Sequence, residues 1–136
     1  MTDGTPHISL AASSAFVQGT GLELDAVSGS EVTGHIDAGA GHHTPWGMVH
    51  GGVYASAIET ACSIGASTAV GEAGQFAVGL SNHTDFLRAH REGRLVVRAV
   101  PVHQGRTGQL WQCDITREDG KPVAQGRVRL QNVPLP

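Results

Sequence analysis

The sequence predicts an α+β fold in which an antiparallel sheet of about five to six strands wraps one long central helix. Three observations carry this expectation. A proline-free run from Val53 to Val70 holds a single formally charged side chain, Glu59; stretches of alternating apolar and polar residues precede and follow it; and 136 residues suit one core with little room for a second. The run is dominated by Ala, Ile, Cys and Ser. A helix apolar on most of its circumference belongs inside a protein, and small residues at Ala55, Ala57, Ala61, Gly65 and Ala66 let strands come close to it. The order is two strands, the helix, then four strands, in one domain spanning residues 1–136.

Each element has its own local signal. Residues 1–6 are polar with Gly and Pro and are expected to be frayed. Ile8, Leu10, Ala11, Ala15 and Phe16 allow a short helix started near Ser9 and stopped by Gly19. Leu22–Val27 and Val32–Asp37 alternate apolar with polar, and Ser28-Gly29-Ser30 joins them as a hairpin. Gly71 to Gly74 closes the central helix. A third strand runs from Phe76 towards Leu87, and a fourth covers Gly93 to Gln104 with Leu95, Val97 and Ala99 on one face. Leu110–Thr116 and Val123–Val133 are the last two, joined by Glu118-Asp119-Gly120-Lys121, in which Asp-Gly is a strong hairpin signal.

Composition narrows the function classes. With 40% hydrophobic and 15% charged residues the chain is ordinary globular material, and a net charge of −3 with no basic stripe argues against nucleic acid as a partner. Cys62 and Cys113 are too few and too unpatterned for a disulfide framework or a zinc site, and are expected to be small core residues. The first residues lack a basic start and a long apolar stretch, and no apolar run approaches about 18 residues. A soluble cytoplasmic protein without a membrane partner is the expectation.

The chemistry concentrates between residues 41 and 70. Thr44-Pro45-Trp46-Gly47 has the proline and glycine of a turn, and Gly51-Gly52 lets backbone approach a ligand just before the helix. Glu59 has two readings. Ser56, Thr60, Ser63 and Ser67 recur at spacings of four, three and four, a polar stripe that would carry Glu59 to solvent. Alternatively, free N–H groups at Gly51 and Gly52 on a helix N-terminus form an oxyanion or carbonyl-polarising site, and Glu59 with Ser63 forms an i, i+4 pair that attacks or activates water. Seven residues separate Gly52 from Glu59, about 10 Å along a helix axis. One chain therefore cannot bring both to a single reacting centre. The carboxylate must come from a second, antiparallel copy of the helix, which makes a symmetric dimer the expectation.

The run Thr44 to Gly52, with Ala57-Ile58-Glu59-Thr60-Ala61, resembles the hotdog-fold acyl-CoA thioesterases of the phenylacetyl-CoA and 4-hydroxybenzoyl-CoA thioesterase type, in the branch that uses Glu on the central helix. Their pattern is Asn or Gln, then Pro-x-Gly-x-x-His-Gly-Gly, then an acidic residue nine positions after the His, as from His50 to Glu59. Gly79 to Arg88 resembles that family's third strand, and Asp119 to Gly126 its last hairpin, so the likeness spans about residues 20 to 130. One departure stands out: Thr44 occupies the place of the Asn or Gln.

The resemblance implies hydrolysis of an acyl- or aroyl-coenzyme A to free acid and CoA, with CoA as part of the substrate, no further cofactor, and a homodimer paired into a dimer of dimers. Glu59, Gly51, His50 and Ser63 would serve catalysis, with Glu59 as nucleophile or as general base. Thr44, Gly52, Ser81, Asn82 and His83 would bind substrate; alternation does not decide which of the last three points inward. Arg88, Arg91 and Arg106 would hold the CoA phosphates, against the simpler reading of a solvated charged turn partly neutralised by Glu92. His42, His43 and His50 match no zinc pattern, so no metal is expected. A non-catalytic acyl-CoA-binding or sensor protein is the competing reading, kept open by Thr44. A hydratase is weaker for want of an Asp/His dyad.

Overall fold

Alternation along the strand segments folds them into one antiparallel sheet. The structure, a computed structural model, describes residues 9–136; the fraying expected for residues 1–6 lies outside them. β1 (Leu22–Val27) and β2 (Val32–Ala38) form the first hairpin; β3 (Gln75–Phe86), β4 (Gly93–Gln104), β5 (Gly108–Arg117) and β6 (Pro122–Pro134) follow the central helix α2 (Gly51–Val70). Their spatial order is β1-β2-β4-β5-β6-β3, so β1 and β3 are the two edges. The strand limits read from alternation hold to within two residues, and those of β1 and β4 coincide.

The N-terminal helix differs from expectation. Instead of one helix from Ser9, a 3-10 turn over Leu10–Ala12 is followed by a separate α1 (Ala15–Gly19). Ser14 is extended, and its hydroxyl accepts from the Val17 amide at 3.3 Å. A serine used as a helix cap starts a new helix rather than continuing one.

α2 starts two residues before the apolar run, because His50 caps it: His50 Nδ1 accepts from the Gly52 amide at 2.8 Å. Its buried residues Tyr54, Ala57, Ile58, Ala61, Cys62, Gly65 and Ala66 recur at helical spacing and face the sheet. Gly65 lets Trp111 of β5 lie against the helix, since a Cβ there would fall 2.5 Å from the indole. Trp111 Nε1 donates to Gln109 Oε1, and Gln109 Nε2 donates to the Ala66 carbonyl and to Asn132 Oδ1, so this buried polar cluster is paired and ties helix to sheet. Cys62 and Cys113 are fully buried core residues; the Cys62 thiol is held protonated by its hydrogen bond with Cys113 and by burial. No helix among the described residues is long and apolar enough to cross a membrane.

Away from α2, β1 is fastened to β2 by His35, whose Nδ1 lies 2.9 Å from Asp25 and whose Nε2 lies 2.8 Å from Glu23. The Asp25 carboxylate, ahead of Glu23, raises the imidazole's pKa. Arg94 makes two bonds to Asp37 next to it, at 2.8 and 3.0 Å.

Candidate active site

The approach to α2 is held by backbone and imidazole contacts rather than left as a flexible loop. His50 donates its amide to the His42 carbonyl, Val49 donates to the His90 carbonyl, and His43 Nε2 lies 2.6 Å from the Arg91 carbonyl. Thr44 is spent on a turn: its carbonyl accepts from Gly47, which sits at φ 79, and its hydroxyl oxygen accepts from the Trp46 amide at 3.2 Å. The Trp46 side chain stands 76% exposed at the tip.

At the helix start the two glycines divide. Gly52 gives its amide to His50, so His50 Nδ1 is an acceptor and the neutral ring carries its proton on Nε2. The Gly51 amide takes no partner among the described residues and points along the positive end of a 20-residue helix. Gly51 is also a packing requirement, because a Cβ would lie 2.7 Å from the Phe86 ring. Tyr54, one turn on, stacks at a tilt against Phe86 with ring centres 6.1 Å apart. Its buried hydroxyl has no partner among the described residues, and burial pushes its pKa up to about 12.

Two turns into the helix, half-buried Glu59 is held from both sides. Ser63 Oγ donates to Oε2 at 3.2 Å, the i, i+4 contact expected from the spacing. Asn82 Nδ2 donates to Oε1 at 3.1 Å and to the Ala55 carbonyl at 3.1 Å, which answers the question of parity on β3. Asn82 and Thr84 face the helix; His83 turns the other way, towards Asp85 at 3.4 Å, and Ser81 shares its side. Gly79, passed over in the sequence, is part of the arrangement. A Cβ there would lie 2.5 Å from Glu59 Oε2, and β3 shifts register between Gly79 and Ser81 beside it.

The carboxylate opens onto a groove of about 470 Å³, with Phe16 of α1 and Phe86 of β3 as its apolar walls and Ser56, Thr60 and Thr84 as its hydroxyls. Ser56 and Thr60, the first half of the helix's polar stripe, thus lie on the groove floor, and all four stripe residues are half-buried rather than fully solvated.

The arginines separate. Arg88 and Arg91 lie in the β3–β4 connection, at the Gly51 end, with Arg91 donating to the Gly47 carbonyl at 3.3 Å. Arg106 lies in the β4–β5 connection beside a second cavity of about 530 Å³ that also takes in His103 and Arg129 and no carboxylate. The 12 residues of β4 put the two groups about 40 Å apart in one chain.

The sequence model of the Thioesterase superfamily matches residues 47–124. A Mycobacterium tuberculosis protein named provisionally as an esterase is 44% identical over 90 residues, and the match spans 64% of that relative's length and 64% of this chain. Its solved structure superposes with a TM-score of 0.86 at 34% identity, covering 90% of this chain and 99% of that one. The crystal structure of a thioesterase from Haemophilus influenzae gives a TM-score of 0.86 at 29% identity, over 96% of this chain and 94% of that one. A 1,4-dihydroxy-2-naphthoyl-CoA hydrolase of Listeria monocytogenes is 30% identical over 107 residues, 79% of this chain and 86% of its own length.

Proposed function

This chain belongs to the thioesterase superfamily and has its hotdog fold, and on that footing we propose that it is a cytoplasmic homodimer hydrolysing acyl- or aroyl-coenzyme A to free acid and CoA. The observation that carries the reading is Glu59, gripped by Ser63 and Asn82 at the floor of a groove with an apolar wall at each side. The substrate carbonyl oxygen rests on the Gly51 amide, where the helix dipole stabilises the charge that builds up as the carbonyl carbon becomes tetrahedral. The Glu59 carboxylate of the other chain either takes a proton from the attacking water or attacks first and is released by water. In both routes the C–S bond breaks, CoA leaves as a thiol, and the acyl group leaves as an acid. Steady release of free thiol from a panel of acyl- and aroyl-CoAs is the direct test. Binding without release would instead favour the sensor reading, towards which the use of the Thr44 hydroxyl inside its own turn leans.

The register of such a dimer follows from contacts within one chain. β3 is an uncovered edge strand with Val78, Leu80 and Phe86 exposed, a surface that antiparallel pairing with a second β3 would bury. α2 runs antiparallel to β3: Gly51 lies against Phe86, Glu59 against Gly79 and Asn82, and Ser67 against Ala77. For one chain's Gly51, level with its Phe86, to meet the other's Glu59, the two-fold axis must cross β3 midway between those levels, beside His83. His83→Cys should then form an interchain disulfide on mild oxidation, because facing residues of an antiparallel pair lie about 5 Å apart. Val78→Cys, whose copies would be about 34 Å apart, should not. A non-reducing gel showing the reverse would overturn this register.

The same pairing lays the Arg106 end of one sheet beside the Arg88 and Arg91 end of the other, joining the two basic groups that one chain keeps apart. Replacing Arg88 and Arg91 together by Ala should raise KM for acyl-CoA about ten-fold or more, and leave KM for a pantetheine thioester lacking the nucleotide phosphates nearly unchanged. Equal losses on both substrates would remove the phosphates from this turn.

A further inference from the structure

We propose that Thr84 and Asn82 are positioning residues for Glu59, forming a relay from β3 that fixes the carboxylate in one orientation; the proposal rests on the hydrolase reading of the same site. Both amide hydrogens of Asn82 are aimed at acceptors on α2, Glu59 Oε1 and the Ala55 carbonyl, each at 3.1 Å. That is possible only with the amide oxygen turned away from the helix, and there the Thr84 hydroxyl donates to Oδ1 at 2.7 Å. A flipped amide would set its oxygen against a carboxylate and a carbonyl at once, so the helix and Thr84 select the same orientation.

Two glycines make room for this line of contacts. Gly126 of β6 faces Thr84 across the ladder, and a Cβ on it would lie 2.7 Å from Thr84 Oγ1. Gly79 clears the space for Glu59 Oε2. With Ser63 on the opposite oxygen, the carboxylate is held by one donor on each oxygen, and its remaining lone pairs are left for water or substrate in the groove. Such fixing matters at the transition state more than in binding, since small misplacements of a reacting group cost rate steeply.

Thr84→Val keeps the shape and removes the hydroxyl. It should lower kcat about ten-fold with KM within about two-fold, while Thr84→Ser, which restores the donor, should return kcat close to wild type. In an Asn82→Ala background Thr84→Val should have no further effect, because Thr84 acts through Asn82. The side-chain amide protons of Asn82 should exchange slowly in the wild type and in Thr84→Ser, and fast in Thr84→Val. Wild-type kcat in Thr84→Val, full additivity with Asn82→Ala, or a Thr84→Ser variant as slow as Thr84→Val would overturn the relay. If the wild type released no thiol from any acyl-CoA, the hydrolase reading would fail, and the amide exchange rates would still decide the relay.

Discussion

Glu59→Gln yields a folded protein whose thiol release from acyl-CoA is about 10³-fold slower than wild type. The amide is nearly the size of the carboxylate, but it neither attacks a carbonyl nor takes a proton at neutral pH. The surroundings let it fit. Gln can turn its oxygen to Asn82 Nδ2 and its NH₂ to Ser63, whose hydroxyl accepts as readily as it donates. The exchange of two charge-assisted contacts for neutral ones at a half-buried site costs about 1–2 kcal/mol, several degrees in melting temperature. Thiol release followed with a chromogenic disulfide, beside a thermal melt, checks both halves. A Glu59→Gln protein that turned over at the wild-type rate would return Glu59 to the polar stripe of the helix.

Mixing two inactive variants should restore activity. Along one helix Gly52 and Glu59 lie about 10 Å apart, so the proposed mechanism needs Gly51 from one chain and Glu59 from the other. Glu59→Gln loses the carboxylate. Gly51→Pro loses the amide hydrogen at a first-turn helix position that tolerates proline, at the cost of turning aside the Phe86 ring, which would otherwise lie 2.7 Å from the new Cβ. After subunit exchange under mild denaturation, each heterodimer has one site with both defects and one with neither. Activity per heterodimer should rise from near zero to about half the wild-type value, with exchange followed by native mass spectrometry. Heterodimers seen by mass but inactive, with both parents folded by circular dichroism, would show that Glu59 works within its own chain.

Much of this molecule is legible in its residues. β2 and β5 alternate cleanly, β4 and β6 do so over most of their length, and Asp119-Gly120 marks its turn. Glu59 and Ser63 at i, i+4 form the contact their spacing implies. Three things were hidden for physical reasons. Counting parity along Ser81, Asn82 and His83 fails because β3 shifts register after Gly79, and every shift moves side chains to the other face. The occupant of the Gly52 amide depends on a His50 rotamer, which no spacing reveals. The distance between Arg88 and Arg106 depends on which end of a sheet each hairpin occupies, a property of strand order that neighbouring residues do not encode. Gly79 did carry a signal, a glycine inside an alternating strand, but its reason lies 20 residues away in sequence, at Glu59.

That glycine sets two demands of the molecule against each other. In the middle of an extended strand, glycine is a poor choice, weaker than a β-branched residue by about 1 kcal/mol. A selection for heat resistance would therefore favour a β-branched residue at position 79, and the first atom of its side chain would lie 2.5 Å from Glu59 Oε2 and push the carboxylate aside. If Glu59 carries the reaction as proposed, resistance to unfolding and readiness to react are traded at this one residue, and its glycine keeps the carboxylate where the proposal needs it.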